Sequence, residues 1–439
     1  MTNNQLPHVV IVGGGFAGLA AASALRSAPV RVTLIDRSNH YLFQPLLYQV
    51  ATANLAPGDI AAPIRHLLRK QRNVTVAMAE VTGVDVANRR VLVDYLGQPD
   101  TPFEYDYLIL ATGASHSYFG HNEFAKHAPG MKSVADAVAS RNKILQAFET
   151  AEAEEDPSRH RDLLTFILVG AGPTGVEMAG ALAVLARTTL KSEDFRRIDP
   201  ALARIVLVDR GSRVLSTFPE KLSKAAKQRL EKLGVEVRLG QSVDQIDADG
   251  IVASGERIAS QTVIWTAGVA PSLAGRWLNV ETDRAGRVRV QNDLTVPGYP
   301  EIFVVGDTAY FEESGHPLPG VAQVAIQGGR YAGKLIHSRV TGNPSPGPFS
   351  YFDKGSMAVV GKGFAVLHSF KVQASGFGAW LTWAFVHLQF LATSSLRLSV
   401  FLQWVWTYVT GQRGAQLIVN HPGSAPAEPS KGTALKPAA

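Results

Sequence analysis

The sequence has no cysteine among its 439 residues. This absence excludes disulfide bonds, thiol redox chemistry, iron–sulfur clusters held by cysteine and zinc sites with cysteine ligands. Long runs of like charge are also missing, so the net charge of +6 is spread along the chain. Because no base-reading motif accompanies this basicity, we expect no nucleic-acid partner and only a mild attraction to an anionic membrane surface.

Motifs for hydrolysis, metal binding and nucleoside triphosphate binding are missing as well. There is no G-x-S-x-G or H-E-x-x-H sequence, and His116, His121 and His127 lack ligand spacing, so we expect no metal. Residues 328–334 read G-x-x-x-x-G-K, but Leu335 replaces the Ser or Thr that a phosphate-binding loop uses for magnesium. The first strand begins too early to leave room for a basic and then apolar leader, so no signal peptide is expected.

A β-branched segment, Val9–Val12, leads directly into a turn that contains Gly13, Gly15 and Gly18. An Ala- and Leu-rich helix follows, and the next strand ends at Asp36. This order is the dinucleotide-binding fingerprint in its required context, because the glycines permit a tight turn, the approach of a pyrophosphate and close helix packing. The helix N-terminus then faces the phosphates, and Asp36 is placed to accept hydrogen bonds from a ribose.

The same pattern occurs again in the middle of the chain. Strand Thr165–Val169 leads into Gly170, Gly172 and Gly175, and a later strand ends at Asp209. The distance from Gly170 to Asp209 is 39 residues, against the usual ~20, because a polar segment is inserted. We still assign Asp209 to the ribose of a second dinucleotide.

Each half also contains a further strand that ends in small residues, at Ala111-Thr112-Gly113 and at Ala267-Gly268. Duplication of a nucleotide-binding domain is the simplest explanation. We therefore predict an α/β fold with two Rossmann-like domains and a C-terminal membrane-associated helical region. The expected division is a discontinuous FAD-binding domain (1–120 and 270–335), an NADH-binding domain (121–269), a C-terminal strand and amphipathic-helix domain that anchors to the membrane (336–420) and a disordered tail (421–439).

Two dinucleotide sites in one chain favour a flavin site and a nicotinamide site that face each other. The first fingerprint is expected to hold FAD, with Asp307 at the flavin ribityl or phosphate end. The second is expected to hold NADH. Asp209 disfavours the 2′-phosphate of NADPH by like charge, although Arg210 and Arg213 lie close enough in sequence to weaken that preference.

The region from Ser375 to Thr410 carries Arg397 as its only formal charge. Residues 376–396 are just long enough to span a bilayer, but we favour two helices that lie in the interface, since each has one polar stripe beside a broad apolar face. An internal core or dimer surface is the remaining alternative. The stripes comprise Thr382, Gln389 and Thr393 in the first helix and Ser399, Gln403, Thr407 and Thr410 in the second. Interfacial anchor types are Trp380, Trp383, Trp404, Trp406, Arg397 and Arg413.

At this point the chain resembles the type II NADH:quinone oxidoreductases, the single-subunit, non-proton-pumping branch of the two-dinucleotide flavoprotein reductases. The resemblance extends to about Asn420. It depends on His40–Tyr48, the second glycine turn through Glu177, the A-Q-x-x-x-Q element from Ala322 to Gln327, residues 354–358 and the entry to the C-terminal helices at 375–380.

The resemblance implies roles for four residues. Gln323 and Gln327 would line the junction of flavin and quinone, where an amide can bind a carbonyl without adding charge; the alternative is a helix-surface residue or local cap. Glu177 would lie near the nicotinamide and flavin rings, or be an ordinary acid favoured by a helix N-terminus. Lys371 would interact with Glu177, or be a solvated lysine in a turn.

The interpretation is thus FAD-dependent oxidation of NADH with two-electron reduction of a membrane quinone, without proton pumping. Alternatives are a flavin reductase with a protein acceptor, or an NADH-sensing flavoprotein that binds a partner through its C-terminal helices. We expect peripheral attachment to the lipid surface on the cytoplasmic face of a bacterial inner membrane, and a homodimer. The full set of expected cofactor contacts is Gly13, Gly15, Phe16, Ala17, Gly18, Asp36, Gln44, Val81, Ala111, Thr112, Gly113, Gly170, Gly172, Thr174, Gly175, Glu177, Asp209, Ala267, Gly268, Gly306, Asp307 and Gln323.

Overall fold

Two parallel β-sheets, one for each glycine fingerprint, form the framework of the molecule. The computed structural model describes residues 6–190 and 193–419. The expected tail at 421–439 lies outside the described residues. The α/β class with two Rossmann-like units is confirmed by these sheets, whereas the domain boundaries given above stay a prediction.

The first sheet has six strands within the described residues. In spatial order they are Thr295–Val296, Tyr299–Val304, Tyr107–Leu110, His8–Val12, Arg31–Asp36 and Val74–Met78. Only the first pair is antiparallel. The three central strands, His8–Val12, Arg31–Asp36 and Tyr107–Leu110, are rich in Val, Ile and Leu and largely buried on both faces, as parallel strands require. Because parallel strands end at one edge, the turn at Gly13 and the carboxylate of Asp36 meet there.

The second sheet has four parallel strands within the described residues. Their spatial order is Val235–Leu239, Arg204–Asp209, Thr165–Val169 and Thr262–Trp265. It repeats the central arrangement of the first sheet, with the strand before the glycine turn flanked by the strand that ends in the acid. A two-stranded antiparallel link, Ala114–His116 with Val269–Pro271, joins the halves at the two small-residue strand ends.

Smaller sheets and the helices cover this framework. Three of the small sheets have two strands each: His40–Leu42 with Ala61–Pro63, Val288–Arg289 with Ala309–Tyr310, and Glu312–Glu313 with His316–Pro317. Three others have three strands each: Glu80–Asp85, Arg90–Tyr95 and Gln98–Glu104; Val243–Asp247, Gly250–Ala253 and Glu256–Ala259; and Ser356–Val359, Ala365–Ser369 and Val372–Gly376. The described α-helices are Phe16–Ala24, Leu47–Ala51, Pro57–Ile60, Ile64–Leu68, Val134–Ala153, Pro157–Leu163, Pro173–Val184, Glu220–Lys232, Ala274–Leu278, Ala322–Thr341, Phe377–Phe390 and Ser394–Thr410.

The glycine run at 328–334 is a packing surface. It lies inside the helix Ala322–Thr341, called here the glutamine helix, which crosses the first fingerprint helix. A Cβ at Gly329 would lie 2.0 Å from the carbonyl oxygen of Ala17, and one at Gly333 would lie 2.7 Å from that of Ala21. Only glycine permits this approach, which supports the rejection of a phosphate-binding loop.

Helices Phe377–Phe390 and Ser394–Thr410, called here the first and second tryptophan helices, follow the last three-stranded sheet. Among the described residues, no helix combines the length and apolarity needed to cross a bilayer. The polar stripe of the second helix faces the protein: Ser399 Oγ and Gln403 Nε2 each donate to the carboxylate of Asp59 at 3.0 Å. The opposite, apolar side is exposed, with Val409 the most open at 77%.

Two of the expected interfacial anchors do not lie at the surface. Trp383 is 2% exposed and packs on Trp404 at 5.2 Å between ring centroids. Arg413 is 7% exposed, and its guanidinium donates to the backbone carbonyls of Thr52 and Ala181. The anchor assignment was wrong for these residues because both fold back onto the protein. Trp406 remains exposed.

Candidate active site

The first glycine turn is shaped to approach a ligand with its backbone. Gly13 has φ +104°, and a Cβ there would lie 2.3 Å from the carbonyl oxygen of Ala111. A Cβ at Gly18 would lie 1.8 Å from the carbonyl oxygen of Gly13. At Gly15 the same construction meets nothing within 4 Å, so the backbone borders open space where a pyrophosphate fits.

Asp36 is held by backbone N–H groups at the edge of this turn. Its Oδ2 accepts from Gly14 N at 2.6 Å and its Oδ1 from Ser38 N at 2.6 Å. Each oxygen retains a lone pair that a ribose hydroxyl can use. The acid is therefore oriented before any ligand arrives.

The second turn repeats this geometry closely. Gly170 has φ +110°, a Cβ at Gly175 would lie 1.8 Å from the carbonyl oxygen of Gly170, and Gly172 borders open space. Asp209 Oδ2 accepts from Ala171 N at 2.6 Å, and Oδ1 accepts from Gly211 N at 2.5 Å. The long polar insertion between Gly170 and Asp209 thus leaves the acid in the equivalent place.

A hydroxyl chain connects two strand ends of the first half. Thr112 Oγ1 lies 2.5 Å from Ser272 Oγ, which lies 2.7 Å from Thr308 Oγ1. The structure thereby links the Ala111–Gly113 end to the turn that carries Gly306 and Asp307. Ser272 was missed by sequence reasoning, since the motif signals at 111–113 and 306–307 do not include it.

Three further residues that the sequence predicts as cofactor contacts have different neighbours. Gln44 Nε2 donates to the Lys132 carbonyl at 3.3 Å, and Val81 is buried. Phe16 makes edge contacts with Tyr41 and Phe43. Open glycine backbones and oriented acids fit a dinucleotide in each half, so the first turn would hold FAD and the second NADH. The individual contacts stay predictions.

Glu177 lies in the helix Pro173–Val184 that begins at the second turn. Its side chain is 9% exposed, and Oε1 accepts from Val359 N at 3.3 Å. Burial raises the pKa of Glu177 to about 8, because the charged form is poorly solvated there. A carboxyl group that stays protonated at neutral pH can donate a proton in this position.

Lys371, expected beside Glu177, lies elsewhere. The Glu177 contact Val359 pairs with Ala365, at the far end of the sheet from Lys371, which occupies the exposed turn after Ser369. Ser369 lies four residue steps after Ala365, so the turn is about 13 Å along the strand from the Glu177 contact. Antiparallel register therefore contradicts the expected pair, and Lys371 is a solvent-exposed turn residue.

Gln323 and Gln327 both bind the backbone of residues 352–355. Gln323 Nε2 donates to the Gly355 carbonyl at 3.1 Å while its Oε1 accepts from Lys354 N at 3.3 Å. Gln327 makes the same two-way contact with Phe352, at 2.9 and 3.0 Å. Each amide keeps one N–H and one lone pair uncommitted by these bonds. The glutamines thus clamp the segment 352–355 onto the start of the glutamine helix.

A cavity lies between Glu177 and the tryptophan helices, with about 700 Å³ of empty space including its open mouth. Five of its lining residues are aromatic, and polar and charged side chains lie among the others, so we call it the aromatic cavity. The residues that matter here are Tyr48, Gln49, Asn54, Glu177, Lys362, Trp380, Trp383, Trp404, Tyr408 and Arg413. Gln49 joins two of them, since Nε2 donates to Tyr48 Oη at 2.9 Å and Oε1 accepts from Trp404 Nε1 at 2.8 Å. The cavity-lining roles of Tyr48, Lys362 and Arg413 were missed because tertiary packing alone brings them together.

Fold and site together define a pyridine nucleotide-dependent oxidoreductase with two dinucleotide sites. We call them the first cradle, formed by residues 13–18 and Asp36, and the second cradle, formed by residues 170–175 and Asp209. Residues 7–329 match the family model described as pyridine nucleotide-disulphide oxidoreductase. A disulphide mechanism is excluded here, because the chain has no cysteine. The structure of NDH2 from Plasmodium falciparum in complex with NADH has the same fold, with TM-score 0.83, 20% identity and coverage of 93% of this chain and 99% of that one.

Sequence relatives narrow the class. Type II NADH:quinone oxidoreductase Ndh of Mycobacterium tuberculosis is 49% identical over 425 residues, which cover 94% of this chain and 90% of that protein. The second such enzyme of that organism, NdhA, is 45% identical over 94% of this chain and 89% of its own length. The chain belongs to the family of type II NADH:quinone oxidoreductases, which are non-proton-pumping flavoenzymes. Its cofactors are accordingly FAD and NADH, and the two alternative interpretations receive no support.

Proposed function

We propose that the chain oxidises NADH at the second cradle and reduces a quinone in the aromatic cavity, with Glu177 as the proton donor. The first glycine turn and Asp36 would hold FAD, which would supply the two-electron transfer from NADH to the quinone. The observation that carries this proposal is the position of Glu177: one buried, protonated carboxyl lies on the helix of the NADH cradle and also lines the cavity.

Asp209 supports NADH as the electron donor. Its carboxylate is fixed by two backbone N–H groups, so it presents a negative charge where NADPH would place a phosphate. The neighbouring Arg213 Nη2 donates to the Ser216 carbonyl at 2.7 Å, which occupies the guanidinium with its own loop. Arg213 is thus held by its own loop, whereas Asp209 is held at the glycine turn.

The glutamines support the cavity as the quinone site from outside it, since neither is among its lining residues. Gln323 and Gln327 hold the segment 352–355 in place, and that segment leads into the strand that ends at Val359, the backbone partner of Glu177. We assign both glutamines a role in quinone reduction rather than in flavin reduction.

The second tryptophan helix supports peripheral attachment to a lipid surface. Its polar residues bind the protein and its exposed side consists of large apolar side chains, including Phe401, Leu402 and Trp406. An exposed apolar patch of this kind suits a lipid interface. Attachment there would place the cavity mouth next to dissolved quinone, on the cytoplasmic face of a bacterial inner membrane. A homodimer stays a prediction.

Stopped-flow absorbance of the purified holoenzyme in detergent tests the function. Mixing with NADH should bleach the flavin band, and adding a short-chain quinone should restore it with turnover. Bleaching without reoxidation by quinone would contradict quinone as the acceptor. The variant Gln323→Ala/Gln327→Ala should slow reoxidation more than bleaching, and equal slowing of both steps would contradict the quinone role of the glutamines.

Lipid attachment is tested separately by flotation with anionic vesicles. Phe401→Ser/Leu402→Ser should float less than the unmodified enzyme, because it loses exposed apolar area without touching the Asp59 contacts. A matched control is Leu96→Ser/Phe119→Ser, which changes two exposed apolar residues far along the chain from the tryptophan helices. Equal flotation of both double variants would contradict the assignment.

A further inference from the structure

The lining of the aromatic cavity contains buried polar atoms without a partner. Arg413 Nε, Trp383 Nε1 and Asn54 Oδ1 have no hydrogen-bond partner in the described structure. All three residues line the cavity. Because a buried donor without a partner is costly, two unpaired N–H donors here indicate a ligand that brings an acceptor oxygen.

Arg413 is also a buried cation without an anion. Its Nη atoms donate to the carbonyls of Thr52 and Ala181, and within the described residues no carboxylate lies within ion-pairing distance of it. Burial lowers the pKa of Arg413 to about 10, so the group is still charged at neutral pH. If Arg413 served only to connect Thr52 and Ala181, an uncharged donor side chain could make the same two hydrogen bonds. The positive charge therefore needs another explanation.

The other charges around the cavity make it positive. Lys362 lies at the exposed mouth, 4.7 Å from the ring centroid of Tyr408, and Glu177 is protonated at neutral pH. Burial raises the pKa of Tyr48, so its hydroxyl is uncharged there. Arg413 and Lys362 are thus two cations in an aromatic cavity that holds no compensating negative charge.

We propose that Arg413 binds a negatively charged oxygen of the quinone ring, so that the cavity holds the reduced quinone anion and selects ionised hydroxyquinones over neutral analogues. This inference rests on the proposed entry of quinone into the cavity. Two electrons and one proton from NADH convert a quinone to its monoanion. The carboxyl of Glu177 then gives the second proton to form the quinol, and the resulting carboxylate regains a proton from solvent.

Calorimetric titration of the oxidised holoenzyme in detergent tests the charge preference directly. The probes are 2-hydroxy-1,4-naphthoquinone, which is ionised at neutral pH, and its uncharged 2-methoxy analogue. We expect the unmodified enzyme to bind the anion more tightly. Arg413→Gln should weaken anion binding by about tenfold or more, the value of a charge-assisted hydrogen bond, and affect the methoxy compound by less than about twofold.

Arg141→Gln is the matched control. Arg141 is 4% exposed and its Nε also lacks a partner, but it does not line the cavity. This variant should leave the ratio of the two affinities unchanged, while Arg413→Lys should retain most of it. An unchanged ratio in Arg413→Gln, or equal loss of both probes, would overturn the proposal.

Lys362→Gln covers the case in which Arg413→Gln does not fold. Lys362 is exposed, so this variant should fold normally and reduce anion binding by a smaller factor that shrinks with added salt. If the unmodified enzyme does not prefer the anion and Lys362→Gln changes nothing, the inference fails even though quinone turnover persists. Absence of quinone turnover in the unmodified enzyme would instead contradict the proposed function.

Discussion

The two glycine turns have the same geometry, but the helices that follow them differ in one buried side chain. In each half the third glycine approaches the first glycine's carbonyl to 1.8 Å, measured from a constructed Cβ, and the acid accepts from two backbone N–H groups. The residue seven positions after the first glycine differs: it is Ala20 in the first half and Glu177 in the second. The geometry of the turn is therefore repeated, whereas the carboxyl group at this position is present only in the second half.

Their packing partners explain this difference. The first fingerprint helix lies against glycines of the glutamine helix, where backbone contact leaves no room for a cavity. The second lies against Val360 and Gly361 at Gly180, where a Cβ would lie 2.6 Å from Gly361 N, and its next turn borders the aromatic cavity. The first half can thus hold a cofactor rigidly, and the second can add chemistry beside one.

Substitution of the third glycine separates the two halves most strongly. Gly18→Ala should abolish FAD retention, and Gly175→Ala should leave FAD bound but prevent NADH binding, because each Cβ would collide with a carbonyl oxygen and overpacking costs about 1–3 kcal/mol or more. The measurements are flavin absorbance per chain and NADH titration. Gly58→Ala, where a Cβ meets nothing within 4 Å, is the control. Stoichiometric FAD in Gly18→Ala would show that the halves are not equivalent.

Glu177→Gln probes the residue that differs. The variant should slow quinone reduction by about 100-fold, within the range of general acid catalysis, and change flavin reduction by NADH less than about threefold. Single-turnover mixing measures each step. Glu220→Gln, at the first turn of another helix, should change neither. A comparable loss in both steps would move Glu177 from proton transfer to cofactor positioning.

The acids at the strand ends distinguish the ligands of the halves. Asp209→Asn should lower the ratio of kcat/KM for NADH over NADPH by about tenfold, since one like-charge contact is worth about 1 kcal/mol or more. Asp36→Asn should weaken FAD retention and leave that ratio unchanged. Steady-state kinetics with both nucleotides decide this, and a shift of the ratio in Asp36→Asn would break the assignment of FAD to the first half.

The smallest expected effect is on stability. Burial raises the folded pKa of Glu177 to about 8, against about 4.3 for an unfolded glutamate. The stability from this group is fully present below the unfolded value and is lost as pH rises through the folded one. Glu177→Gln has no titrating carboxyl group at this position and therefore does not lose this stability. Its Tm should exceed that of the unmodified enzyme by several °C near pH 8, at roughly 2–4 °C per kcal/mol. The difference should be smaller near pH 5. A constant difference would contradict the raised pKa.

Local sequence patterns were sufficient to predict the two dinucleotide cradles. The β-branched strands, glycine spacings and terminal acids predicted both sheets, because each signal acts within a short segment. The insertion before Asp209 was tolerated for the same reason, as the parallel strand returns its acid to the turn at Gly170.

Long-range pairing limited the prediction of the catalytic region. The position of Lys371 depends on the register of an antiparallel sheet, which placed it at the opposite end from Val359. Arg413 and Trp383 are residue types of interfacial anchors, but Arg413 is buried by contacts with segments hundreds of residues away, such as Thr52, and Trp383 packs on Trp404 of the next helix. Periodicity found the polar stripe on the second tryptophan helix, although not the carboxylate of Asp59 that it binds.

Asp59 links an early segment of the chain to the second tryptophan helix. Its Oδ2 accepts from Ala56 N at 2.8 Å at the start of a short helix, while the same carboxylate holds Ser399 and Gln403. Proteolytic removal of the second tryptophan helix would leave this buried acid without two donors. Hydrogen exchange should then accelerate at residues 56–60 as well as at the cut. Removal of the second tryptophan helix would thus destabilise a segment that is more than 300 residues away in sequence.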